Sequence, residues 1–112
     1  MPATAGKPSQ EHWEGKWRTV HQFGKPKLVL KQKGDEVTGV YKENGKKIGD
    51  IWGTLSGRKN RTWSGRFRDK GKSSKGKFTV RLQSDLVSFE GTFKTCGTFI
   101  CSDPFGWTGD KL

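Results

Sequence analysis

A chain of 112 residues holds one domain. Only 29% of its residues are hydrophobic while 12% are aromatic, so the core is small and built from large rings that each bury much area. A net charge of +11 points to a polyanionic partner or surface and says nothing about fold, and no apolar run approaches the roughly 20 residues of a membrane-spanning helix.

Residues 1–11 read as a disordered tail of Pro, Ala, Ser and polar residues, without the apolar stretch of a secretory signal, and residues 12–112 as the folded domain. A cytoplasmic or other intracellular setting follows as the expectation, with Cys96 and Cys101 as free thiols. Period-two alternation then marks a series of strands with one buried face. The first runs from about residue 12 to 20, with Trp13, Gly15, Trp17 and Thr19 on one face. After a turn at Gly24–Pro26, the second spans 27–33 with Leu28 and Leu30 inward. Gly34-Asp35 turns into a third strand over 36–43. Asn44-Gly45 is a strong hairpin signal, since both central positions of a type I′ turn need positive φ. The fourth strand, about 46–55, turns Gly49, Ile51, Gly53 and Leu55 inward. That leaves Ile48 and Trp52 outward, an apolar pair on a polar face and a candidate interface for a protein partner or a second copy.

A fifth strand covers 61–69, followed by a mobile basic loop over 70–75 and a sixth strand over 76–83. After Ser84-Asp85, the seventh covers 86–94 and holds the cell Phe89-Glu90-Gly91-Thr92-Phe93. The same large–x–Gly–x–large cell recurs at Trp13–Trp17, Val37–Tyr41 and Trp63–Phe67. An eighth strand is expected over 98–102, with Phe99 and Cys101 inward, interrupted by Asp103-Pro104 and extended after a bend through Phe105–Thr108.

Short strands joined by short turns read as an all-β antiparallel meander. With no helix to cover the apolar face, the sheet closes on itself as a single small barrel of about eight strands; an open β-sandwich or a six-stranded barrel is the alternative. Inward glycines leave room for rings and permit the coiling a small barrel needs. The segments Gly15-Lys16-Trp17-Arg18-Thr19 and Val37-Thr38-Gly39-Val40-Tyr41 resemble the first three strands of avidin-like barrels, over about residues 15–41. The resemblance implies an eight-stranded up-and-down barrel with a ligand site at one open end, biotin in the family, and places Tyr41 at the family's ligand-binding tyrosine. Where the family carries an asparagine after the first-strand segment, Val20 stands here.

In a meander alternate turns share an end. The turns at 24–27, 43–47, 69–76 and 94–97 collect Lys25, Lys27, Lys46, Lys47, Lys70, Lys72, Lys75 and Lys94 against only Glu43 and Asp69, whereas the other end is nearly balanced. Strands five and six add an outward strip of Arg66, Arg68, Lys77 and Arg81. Such a basic rim and face suits phosphates, with guanidinium groups giving the directional contacts; lysine-rich turns also serve solubility alone. The leading expectation is therefore a non-catalytic binding module for nucleic acid or another polyanion. A second is a lipocalin- or avidin-type carrier holding a small anionic ligand between Trp17, Tyr41 and Trp63. A third is an interaction subunit docking through Ile48 and Trp52.

Catalytic signals are weak. Gly71-Lys72-Ser73 lacks the glycine spacing and following helix of a phosphate-binding loop. His12 and His21 have no nucleophile set around them, and the two cysteines lack the further ligands of a zinc site. No enzyme activity, cofactor or metal is expected.

Overall fold

A computed structural model describes residues 12–70 and 75–112. The expected N-terminal tail and most of the basic loop, Lys72 included, lie outside the described residues. Eight strands follow in order: β1 (Gly15–His21), β2 (Lys27–Lys33), β3 (Glu36–Glu43), β4 (Lys46–Ser56), β5 (Thr62–Asp69), β6 (Lys75–Leu82), β7 (Ser88–Thr95) and β8 (Phe105–Lys111). Each pairs antiparallel with the next, and β8 pairs back onto β1 from Trp17↔Lys111 to His21↔Trp107, which closes the barrel. Closure sets aside the open sandwich, and the strand count sets aside the six-stranded form. The Asn44-Gly45 turn has positive φ at both central residues, 54° and 79°, as a type I′ hairpin requires.

The inward rows follow the alternation from β1 to β7. Ring atoms of neighbouring strands occupy the space above some of the inward glycines. A Cβ built on Gly109 of β8 would sit 2.5 Å from the Phe89 ring, and one on Gly49 would collide with the Tyr41 hydroxyl. The glycines thus hold the space into which the rings fold.

One end of the barrel is packed shut. Trp13, just before β1, turns under the barrel and meets Trp17, Trp63 and Phe89 at ring-centroid distances of 5.5–6.0 Å. Its backbone N–H donates to Gln32 Oε1 at 3.3 Å and its indole N–H to the Asn60 carbonyl at 3.3 Å. Trp17 Nε1 donates to the Trp13 carbonyl at 2.9 Å, so these two indoles of the plug are tied to backbone, while the buried Trp63 N–H finds no acceptor among the described residues.

Expectations are corrected in two regions. Residues 98–102 are not a barrel strand. Cys96 and Cys101 stand opposite one another across a tight hairpin whose ends are joined by Gly97 N–H to the Ile100 carbonyl at 2.8 Å. The two cysteines form a disulfide rather than free thiols. Within one strand their odd separation would put them on opposite faces; a chain that doubles back between them brings them face to face. Phe99, expected inside, is 96% exposed at the hairpin tip, and Trp107 of the true β8 is buried instead.

The second correction concerns Ile48. The β3–β4 register shifts between Tyr41↔Gly49 and Lys42↔Lys47, leaving Ile48 as the extra residue of a β-bulge. A bulge re-aims side chains. Ile48 consequently lines the barrel interior near its open end, while Trp52 remains outside. The two do not form one patch.

Candidate functional site

Two sites stand out, one on the outer wall and one in the open end. The outer site is organised by register. Trp52 of β4 lies opposite Arg66 of β5, Arg66 opposite Lys77 of β6, and Lys77 opposite Lys94 of β7. One step towards the open end, Arg68 lies opposite Lys75. These residues occupy the outward phase of each strand, so their side chains stand on one face. The Cys96–Cys101 hairpin borders them and makes a groove of about 420 Å³ between the barrel wall and Phe99. Trp52 is 39% exposed at the far side of this groove.

None of Arg66, Arg68, Lys75, Lys77 or Lys94 forms an ion pair with a described residue; among the described residues the ion pair found is Lys47 with Asp50, at 3.1 Å. Like charges directly opposite on neighbouring strands repel one another. The wall therefore holds a block of unneutralised cations beside an exposed indole and an exposed phenyl ring.

Other expected polyanion contacts are scattered. Arg81 lies four residues along β6 from Lys77, about 13 Å away at the usual rise, and pairs across to Thr62 and Glu90. Lys25, Lys27, Lys46 and Lys47 ring the open end on the β1–β2 and β3–β4 side. Lys70 follows β5 at the same end, where its N–H donates to the Ile48 carbonyl at 2.6 Å.

The second site is a cavity of about 300 Å³ in the open half of the barrel. Its polar lining comes from the last inward positions of four strands: His21 of β1, Glu43 of β3, Asp69 of β5 and Thr95 of β7. The period of two carries the inward phase from Tyr41 on to Glu43 and from Phe67 on to Asp69, a signal already present in the sequence. The Tyr41 hydroxyl donates to Asp69. Burial pushes the Tyr41 hydroxyl's pKa far above its ordinary 10, aided by that bond and by the nearby carboxylates of Asp69, Asp50 and Glu43. Burial also lowers the pKa of His21, against a smaller upward pull from Glu43. His21 Nδ1 accepts from the Phe23 backbone N–H at 3.0 Å, which fixes that nitrogen as the unprotonated one. Of the three residues expected around a ligand, Tyr41 lines this cavity, whereas Trp17 and Trp63 are fully buried in the plug below it.

Among the described residues no cluster of three His, Cys, Asp or Glu side chains has the spacing of a metal site. Among the described residues no helix is long and apolar enough to cross a membrane. A scan of protein-family models finds none that matches the chain, and a search of curated proteins finds no match. Its function is therefore read from its own geometry.

Proposed function

We propose that the protein is a non-catalytic binding module for single-stranded nucleic acid, which it grips in the groove between β4–β6 and the disulfide hairpin. The observation that carries this reading is the row Trp52, Arg66, Lys77, Lys94, three unneutralised cations side by side with an exposed indole at the end. Cations along a groove follow a phosphate backbone, and exposed rings stack on unpaired bases, whichever base it is. The arginines give forked contacts to phosphate oxygens; the lysines add charge. A bound anion also relieves the repulsion within the row, so it stabilises the barrel by mass action.

The test is binding of labelled single-stranded DNA and RNA across a salt series. Five phosphate contacts give a slope of log K on log salt of about −3.5. Arg66→Gln with Lys77→Gln lowers that slope in magnitude by about 1.4, while Trp52→Ala weakens binding by about 5- to 150-fold with the slope unchanged. Salt-independent binding, or none at low salt, overturns the reading. Equal affinity for heparin moves it to polyanions in general.

Docking of a protein partner through Trp52 is the weaker reading, because Ile48 faces inward and contributes nothing to that patch. As to setting, an intracellular protein keeps thiols reduced, whereas the Cys96–Cys101 bond belongs to oxidising surroundings. Thiol titration of protein from its native source separates the two.

A further inference from the structure

The open-end cavity inverts the electrostatics of the rest of the molecule. The chain carries 22 Lys and Arg against 11 Asp and Glu. Among the described residues lining the cavity there are two carboxylates, Glu43 and Asp69, and neither a lysine nor an arginine. Neither carboxylate is ion-paired with a described residue. Glu43 leans across the β1–β2 turn, its Oε2 3.2 Å from where a Cβ on Gly24 would lie. Asp69 is held by the Tyr41 hydroxyl, which takes one of its acceptor positions and leaves the others free.

The apolar part of the wall combines the aliphatic side chains of Leu28, Ile48 and Ile51 with aromatic rings. Phe93 sits between Phe67, at a ring-centroid distance of 5.9 Å, and Trp107, at 6.1 Å. Phe23 stands at the entrance, 62% exposed, held edge-on against Phe105 at 4.9 Å. Rings offer their negative faces to a cation. Carboxylates and ring faces together make a cation site, and an anion would meet two like charges there. A cavity of about 300 Å³ lies at the small end of ligand pockets.

We propose that the open-end cavity binds a small organic cation, a protonated amine on an apolar or aromatic body, with Glu43 and Asp69 facing the ammonium group and Phe67, Phe93 and Trp107 enclosing the body. The ligand is of opposite charge to the one expected from the basic rim. The rim's lysines lie outside the wall that a ligand touches, whereas the acids lie on it. This inference is independent of the outer groove and stands if nucleic-acid binding fails.

The experiment is calorimetric titration of the full chain with three probes of one shape: benzylammonium, benzyl alcohol and benzoate. Benzylammonium is expected to bind with Kd of about 1 mM or tighter, and the other two at least about tenfold more weakly. The Glu43→Gln, Asp69→Asn double variant is expected to lose about tenfold or more for benzylammonium alone. Methyl resonances of Leu28, Ile48 and Ile51 report entry into the wild-type cavity, so a variant that fails to fold leaves the test intact. Equal binding of the neutral or anionic probe overturns the proposal, as do unchanged methyl resonances under saturating benzylammonium.

Discussion

His21 makes a titration that the fold resists. Its ring packs against Phe93 at 5.0 Å, and its Nδ1 accepts the Phe23 N–H. Protonation at Nδ1 breaks that bond and places a cation in a half-buried site, with Glu43 giving partial compensation. Below about pH 6.5 the unfolded chain therefore binds more protons at this residue than the barrel does. The group's contribution is intact above that pH, declines as pH falls and levels off below the folded-state pKa. A melting-temperature series should show this decline, and His21→Gln should flatten it. Tyr41 works in the opposite direction. As the chain's one tyrosine, it should show no tyrosinate absorbance up to about pH 11 while folded. Its stabilising effect is complete below pH 10 or so and fades only above; Asp69→Asn should bring the absorbance in earlier. The inward phase of both residues is readable from the alternation that starts at Trp17 and Val37. Their partners are not, because Tyr41 meets Asp69 only once β3 and β5 curve around the cavity.

Strand elements from β1 to β7 were legible because each repeats its inward phase over seven or more residues and ends in a turn with its own chemistry. Asn44-Gly45 shows this at both φ angles. The region after β7 was misread because Gly97-Phe99-Cys101 keeps the alternation of a strand while belonging to a hairpin two residues wide at its tip. Five-residue spacing between cysteines flanking such a tip was the available clue. The bulge left only one trace in the pattern, an apolar Ile48 on a polar face, and that trace does not name the bulge, since an extra residue changes register only against a partner. At this scale the plug gives a stability prediction. Trp13→Ala should cost about 3–5 kcal/mol in chemical denaturation, because three rings lose their common neighbour. Gly109→Ala should cost about 1–3 kcal/mol, because its Cβ drives into the Phe89 ring while Thr19 lies 3.1 Å away on the other side.

Across the whole molecule, most acids are exposed as the cations are, but the described cavity lining carries carboxylates alone among its charged groups. Cations cover the wall and rim, while the carboxylates of Glu43 and Asp69 reach the inside of the open end. The tryptophans are sorted by depth. Trp13, Trp17, Trp63 and Trp107 are buried and Trp52 alone is exposed. A soluble quencher should therefore remove the Trp52 share of the fluorescence and leave Trp13, Trp17 and Trp63 untouched, and a nucleic acid seated in the groove should protect the Trp52 share. Quenching that extends to those three indoles would mean the plug opens in solution.

Closure also brings residue 12 and residue 112 close to one another at one pole of the barrel. The Lys111 ammonium reaches the His12 carbonyl at 2.9 Å, and the Leu112 N–H donates to the Lys16 carbonyl at 2.9 Å. Both contacts lie beneath the tryptophan plug, at the pole opposite the cavity. A short peptide joining residues 112 and 12, with the chain opened between Asn44 and Gly45, would give a circular permutant with an unchanged strand order around the barrel. Its new ends would flank the cavity, where a reporter domain fused to them would feel any guest that enters.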